Sequence, residues 1–128
     1  MRRPILLLTL AILLAGCRPS DPLVVTNVQV GRSLNSDDSV GNLTTRFRPD
    51  DTIYVSALTQ APGTSTITAR WFYRSVLVNE TSKEASYNNE GATEFHLLNT
   101  SGFPAGAYRV DILVDGQQVE SRQFTVEN

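Results

Sequence analysis

Residues 106–126 have the sequence GAYRVDILVDGQQVESRQFTV, which is the clearest structural signal in this chain. Apolar side chains alternate with mostly polar ones from Tyr108 to Val114, the period-two pattern of a strand with one buried face. Asp115-Gly116 follows at once, and this dipeptide is typical of the two-residue turn of a β-hairpin. Apolar positions return in 119–126. The segment therefore predicts a β-hairpin that places one face in a hydrophobic core.

The chain from Leu23 onward repeats this alternation and shows no sustained period of 3.6 residues. Further strands are predicted within 24–30, 53–57, 67–73 and 95–97, with weaker edge strands at 76–80 and 85–87. A polar loop is predicted over 35–42. The pattern indicates an all-β fold, an antiparallel sandwich of about seven or eight strands over residues 23–128.

The alternation also predicts which side chains form the core. We expect the following to face inward: Ile53, Val55, Trp71, Tyr108, Val110, Ile112 and Phe124. A domain of this length can bury such a core without disulfides. None can form within the chain, because Cys17 is its only cysteine.

Three segments of the predicted strands resemble a bacterial immunoglobulin-like domain. They are Trp71, the segment Gly106-Ala107-Tyr108-Arg109-Val110, and Phe124-Thr125-Val126. The resemblance implies a tyrosine corner, in which the Tyr108 hydroxyl bonds to backbone a few residues upstream. The inter-sheet cysteine pair of antibody domains is missing, so the sequence is nearer to fibronectin-III-like or bacterial forms. Such domains share a fold without sharing a function.

The N-terminus has the three parts of an export signal. Arg2 and Arg3 form a positive region, 5–14 form an apolar run too short to cross a bilayer, and Leu14-Ala15-Gly16-Cys17 resembles the lipobox of bacterial lipoproteins. The resemblance implies that residues 1–16 are removed and that Cys17 is acylated. Residues 17–22 would then be a short tether between the lipid and the domain.

The same resemblance implies a location in the bacterial cell envelope. In enteric bacteria an aspartate after the acylated cysteine retains a lipoprotein on the inner membrane, and Arg18 occupies that position here. The expected location is therefore the outer membrane, facing the periplasm. Loss of Arg2 and Arg3 with the signal lowers the net charge from −2 to −4, and an acidic domain is a poor binder of nucleic acid.

The outward positions of two predicted neighbouring strands form a candidate interaction face. Its residues are Arg70, Phe72, Arg74, Arg109, Asp111 and Leu113. Arginine and aromatic side chains together are typical of protein contact surfaces. The alternative is a solvated sheet face with cross-strand Arg–Asp pairs, in which arginine stems cover Phe72.

The sequence offers no catalytic set, and it implies no metal or cofactor. His96 is the single histidine and is expected to point into solvent from a strand. Asp37-Asp38 and Asp50-Asp51 could bind calcium if their loops converged, but polar turns explain them better. We therefore expect a protein that is not an enzyme.

Two classes of function remain open at this point. The first is a lipid-anchored module that binds or assembles with an envelope protein. The second is a module that binds a small ligand or glycan through Trp71, Phe72, Tyr73 or Tyr87. Trp71 discriminates between them, because a glycan-binding tryptophan must be exposed whereas a core tryptophan is buried.

Overall fold

Alternating apolar and polar residues form nine strands in the computed structural model, which describes residues 21–128. The strands are β1 (Val25–Leu34), β2 (Val40–Leu43), β3 (Arg46–Phe47), β4 (Ile53–Thr59), β5 (Gly63–Tyr73), β6 (Val76–Tyr87), β7 (Gly91–Leu97), β8 (Gly106–Val114) and β9 (Gln117–Val126). Within these residues every regular element is a strand, so the predicted all-β class is confirmed. The predicted signal peptide, Cys17 and most of the tether lie outside the described residues.

The strands form two sheets, with orders β2-β1-β4-β7 and β3-β9-β8-β5-β6. All described pairings are antiparallel except one, because β3 runs parallel to β9. The fully antiparallel arrangement that we predicted is therefore wrong at this edge. After β2 the chain leaves the first sheet at Thr44 and joins the second beside the end of β9, where Thr125 N donates to Thr45 O over 2.8 Å.

The number and limits of the strands also differ from the sequence-based prediction. The predicted polar loop over 35–42 contains a turn and most of β2, because Val40 is buried and β2 pairs with the end of β1. The two weak edge strands predicted at 76–80 and 85–87 are one continuous strand, β6. Its intervening residues are exposed and polar, and β5 holds them in the sheet by backbone pairing.

The hydrophobic core lies between the two sheets and contains every residue predicted to be there. Ile53, Val55, Trp71, Tyr108, Val110, Ile112 and Phe124 are each at most 5% exposed. Phe124 organises the aromatic part of the core, since its ring centroid lies 6.0 Å from Trp71 and 5.4 Å from Tyr108. The inward face of the sequence pattern is therefore confirmed on both β5 and β8.

Tyr108 fastens the start of β8 to the preceding loop. Its hydroxyl donates to the carbonyl oxygen of Pro104 over 2.7 Å, four residues upstream, which confirms the hydrogen bond of the predicted tyrosine corner. Gly106 between them has a φ of 142°, in the region that favours glycine. An added Cβ there would lie 3.1 Å from the Tyr73 ring, so a side chain at this position would also press on Tyr73.

We expect Tyr108→Phe to lower the free energy of unfolding by about 0.5–1.5 kcal/mol at neutral pH, the usual net value of one hydrogen bond. Burial raises the pKa of the Tyr108 phenol above its ordinary value, and Tyr73 adds to the effect. The unfolded chain then loses this proton first, so the contribution is complete below about pH 10 and declines as pH rises toward the folded pKa.

Urea unfolding measured from pH 8 to pH 11 tests this expectation. The wild type should lose more stability than Tyr108→Phe as the pH rises through that range. Tyr54→Phe, on the other sheet, serves as the control and should retain the wild-type slope. Equal slopes for the wild type and Tyr108→Phe would contradict the assignment.

The N-terminal part of the described chain is held at one end of the sandwich, which we call the near end; the opposite end is the far end. At the near end, the Asp115 carboxylate accepts from Ser65 Oγ and Thr66 N, and Ser65 Oγ accepts from Leu23 N, all at 2.9 Å. These bonds fix the N-terminal part of the described chain beside the start of β5. The far end is where β5 finishes and β8 begins, about 26 Å from Ser65 along β5 at the usual rise of a strand.

Candidate functional site

The outward face of the five-stranded sheet brings together five of the six predicted interaction residues. Arg70 and Phe72 lie on β5, and Arg109, Asp111 and Leu113 lie on the adjacent β8. The register places Arg70 opposite Asp111, Phe72 opposite Arg109, and Thr68 opposite Leu113. Because opposite residues of an antiparallel pair share a face, these side chains form one surface.

Arg109 and Phe72 are stacked at the centre of the far half of this face. The Arg109 Cζ lies 4.2 Å from the centroid of the Phe72 ring. The Arg109 Nε donates to Asp111 Oδ1 over 3.0 Å, and the same oxygen accepts from Ser121 Oγ over 2.8 Å. Asp111 therefore orients the guanidinium while its terminal nitrogens stay beside the aromatic ring, where a cation is attracted by the π-system.

Asp111 and Leu113 contribute less surface than the sequence pattern indicated. They are 6% and 3% exposed, although both occupy outward positions. β8 lies between β5 and β9, so side chains of both neighbours flank its outward residues. Leu113 stands between Thr68 and Gln118. These two residues therefore pack between the side chains of neighbouring strands and add little to the exposed surface of the face.

The alternation predicted that Arg74 lies on a strand. In the structure it lies in a turn instead. β5 ends at Tyr73, and Arg74 and Ser75 form the turn to β6 with φ values of 48° and 68°. Two positive values are typical of a two-residue hairpin turn, and Asn or Gly are the usual signals for it. Arg-Ser carries no such signal. The predicted strands at 67–73 and 76–80 left these two residues between them, but the alternation still placed Arg74 on the strand face. The Arg74 guanidinium lies 5.2 Å from the Tyr73 ring centroid.

Arg74 and Arg109 border a shallow depression at the far end of the face, with a volume of about 480 Å³. Its third basic side chain is Arg46 of β3, and Ala107 and Thr125 lie between the arginines. We call this site the arginine depression. Sequence reasoning missed Arg46 because β3 has only two residues after a polar segment. The one local hint was apolar Phe47, which is buried beside it.

The other residues considered for chemistry serve local structure. His96 is exposed, as predicted, and its Nδ1 contacts Glu94 Oε1. Asp37 Oδ1 accepts from the Ser39 hydroxyl and amide, and these bonds lower the pKa of the carboxyl. Asp51 Oδ2 accepts from Arg48 N over 2.7 Å. Across residues 21–128, His, Cys, Asp and Glu side chains form no group of three that could hold a metal ion.

Trp71 is 1% exposed and belongs to the core. Tyr73 and Tyr87 are half-buried, and their hydroxyls donate to the carbonyl oxygens of Ala105 and Ala92. Of the four aromatic residues considered for stacking on a sugar, Phe72 is left, and Arg109 already covers its ring.

Comparison with known proteins identifies a lipid attachment site at the N-terminus. The family description "Prokaryotic membrane lipoprotein lipid attachment site" matches residues 1–17, which include the predicted lipobox. This match supports a lipid-anchored lipoprotein of the bacterial envelope. In residues 21–128 no helix is long and apolar enough to cross a membrane. No characterised protein sequence matches the chain.

Two solved structures resemble the described domain. One is a β-glucosidase from Listeria innocua in complex with glucose, with a TM-score of 0.50 and 11% identity over 80% of this chain and 16% of that one. The other is the Pseudomonas fluorescens alkylpurine DNA glycosylase AlkC bound to DNA containing an abasic site analog, with a TM-score of 0.49 and 12% identity over 79% and 30% of the two chains. The chain thus spans less than a third of either protein. The likeness to the glucosidase concerns the fold alone.

Proposed function

We propose that this lipoprotein is a non-catalytic interaction module, which binds an envelope protein through the outward face of its five-stranded sheet. The observation that carries the proposal is the Phe72–Arg109 stack, held by the Asp111 carboxylate on a face that no other part of residues 21–128 covers. An oriented arginine against an aromatic ring is a common anchor of protein interfaces. The burial of Trp71 favours this function over glycan binding.

We also infer an immunoglobulin-like or fibronectin-III-like sandwich. Its support is the strand order, since β1, β4 and β7 correspond to the A-B-E sheet of that fold, and β5, β8 and β9 to the C-F-G sheet. The buried tryptophan on β5 and the Tyr108–Pro104 hydrogen bond occupy the positions expected for it. This fold presents its sheet faces and loops to partners, and it does not by itself specify one.

The proposed location is the periplasmic side of the outer membrane, with Arg18 as its support. Cys17 is four residues before Asp21, so the fixed near end of the domain is within about 14 Å of the lipid along an extended chain. The tether is therefore short, and the far end of the sandwich is the end of the domain opposite the lipid attachment.

Replacement of Phe72 by Ser together with Arg109→Glu should lower recovery of the co-purifying envelope protein about tenfold or more, the range for loss of an interface anchor. Neither side chain belongs to the buried core. Arg109→Glu removes the partner of the 6% exposed Asp111 carboxylate, so the thermal midpoint should fall, and recovery is compared at a temperature where both proteins remain folded. The measurement is affinity purification of the lipidated protein from its own envelope, with bound protein quantified by mass spectrometry.

The four-stranded sheet offers a matched control, since Tyr54 lies opposite His96 on its outward face as Phe72 lies opposite Arg109. Tyr54→Ser with His96→Glu likewise replaces an aromatic residue by serine and its cross-strand neighbour by glutamate, and it should leave recovery intact. Equal loss from both double variants would contradict a specific face. Full recovery with the Phe72 and Arg109 changes would exclude this face and direct attention to β6, where Val76 and Val78 are 63% and 48% exposed.

A further inference from the structure

We propose that the arginine depression binds an acidic segment of the partner protein, with carboxylates of that segment paired to Arg46, Arg74 and Arg109. This inference rests on the proposed function and specifies the chemistry of the partner.

The sheet register builds the depression from small residues flanked by arginines. Arg46 pairs with Thr125, and Thr125 pairs in turn with Ala107. The Ala107 carbonyl oxygen accepts from Arg74 N over 3.1 Å, which brings the turn to the other side of the same row. The short side chains of Thr125 and Ala107 therefore form a floor, with Arg46 on one side and Arg74 on the other. Arg109, two residues after Ala107 on β8, borders the floor on a third side.

The guanidinium groups around this floor have donors available. Among residues 21–128, Arg46 and Arg74 form no salt bridge, and Arg109 uses Nε for Asp111. Glu127 is the single carboxylate that lines the depression. A chain with a net charge of −2 thus gathers three arginines in one place. The planar guanidinium binds carboxylates with paired hydrogen bonds, so an acidic ligand is the complementary one.

The position of the depression argues for a protein ligand. It lies at the far end of the sandwich, about 30 Å along β5 from Thr64, where the N-terminal segment is fixed, so it is at the end of the domain opposite the tether. The depression is also shallow and open, and it continues into the exposed edge of Phe72. A small anion would keep most of its water there. An extended acidic segment can contact several arginines at once.

The test uses the lipidated full-length product in neutral detergent and a fluorescein-labelled hexaglutamate peptide, with hexaglutamine as the uncharged control. Fluorescence anisotropy should show binding of hexaglutamate alone, weakened by added salt as expected for exposed ion pairs. Arg46→Gln with Arg74→Gln should weaken binding about tenfold, since each exposed pair contributes up to about 1 kcal/mol. Arg48→Gln with Arg122→Gln removes the same charge outside the depression and should leave affinity within about twofold.

A second variant tests the depression without replacing any arginine. Ala107 is exposed on the floor, so Ala107→Glu should repel the peptide and abolish binding without disturbing the core. Absence of hexaglutamate binding to the wild type, or equal binding by the depression variants and the Arg48 and Arg122 control, would overturn the inference. Displacement of the peptide from the wild type by glycerol phosphate, the headgroup of phosphatidylglycerol, but not by the same concentration of free glutamate, would overturn it in favour of a lipid.

These outcomes are separable from failure of the proposed function. If hexaglutamate does not bind while partner recovery still depends on Phe72 and Arg109, the interaction module stands and the acidic ligand is wrong. If the peptide binds at the depression but partner recovery is indifferent to Phe72 and Arg109, the proposed face is wrong, and the depression, which includes Arg109, binds acidic peptide without recruiting that partner.

Discussion

Replacement of Trp71 by alanine should lower the free energy of unfolding by about 3–5 kcal/mol, the usual cost of removing a large buried aromatic side chain. Trp71 is the largest fully buried side chain and packs edge-to-face on Phe124 between the sheets. Strands β6 and β8 hold its backbone on both sides, so the surrounding structure cannot collapse easily into the cavity. The loss is a large share of the roughly 5–15 kcal/mol that keeps a domain folded.

Chemical denaturation followed by far-ultraviolet circular dichroism measures this loss without relying on tryptophan fluorescence. Phe72→Ala is the matched control, because Phe72 is the next residue of β5 and lies half-buried on the opposite face. It should cost less than half as much as Trp71→Ala. A cost at Trp71 no greater than at Phe72 would show that the face of β5 is reversed.

Replacement of Cys17 by serine should abolish lipid-mediated anchoring of the protein in the membrane. The lipid attachment site ends at this residue, and serine cannot form the thioether that carries the lipid. Each buried acyl CH₂ contributes about 0.8 kcal/mol and firm anchoring needs more than one chain, so losing the lipid removes the anchoring energy. The product should be found uncleaved or free of lipid, and palmitate labelling should disappear.

Density-gradient fractionation of the same strains tests the location. The wild type should migrate with outer-membrane markers, and Arg18→Asp should shift it toward the inner membrane if the sorting rule inferred from Arg18 holds. Labelling that survives Cys17→Ser would contradict lipidation. Migration of the wild type with inner-membrane markers would contradict the proposed location.

Local patterns in the sequence were sufficient for the central hairpin and the core. Asp115-Gly116 adopts the two positive φ values that its residue types favour, 49° and 84°. The alternation of β5 and β8 placed Trp71 and Tyr108 inward correctly. The face that a side chain occupies depends on its position along its own strand. The side-chain period of a strand is read directly from consecutive residues.

The same reasoning could not predict the short strand β3 or the burial of the outward residues Asp111 and Leu113. β3 is a strand because β9 pairs with it, a contact between residues about eighty positions apart, and two residues are too few to show a period. Asp111 and Leu113 alternate outward as predicted, yet their neighbours on β5 and β9 bury them. Neither effect leaves a trace in the adjacent sequence.

The sequence by itself therefore determined the lipid attachment site, the all-β class, the central hairpin and the inward face of its strands, because each depends on residues close together in the chain. The tertiary structure alone decided the crossing of β3 to the second sheet, the positive-φ conformation of Arg74 in its turn and the grouping of Arg46, Arg74 and Arg109 around one depression. These three arginines come from a short edge strand, a hairpin turn and a central strand. They meet because backbone pairing between distant segments places Thr125 and Ala107 between them.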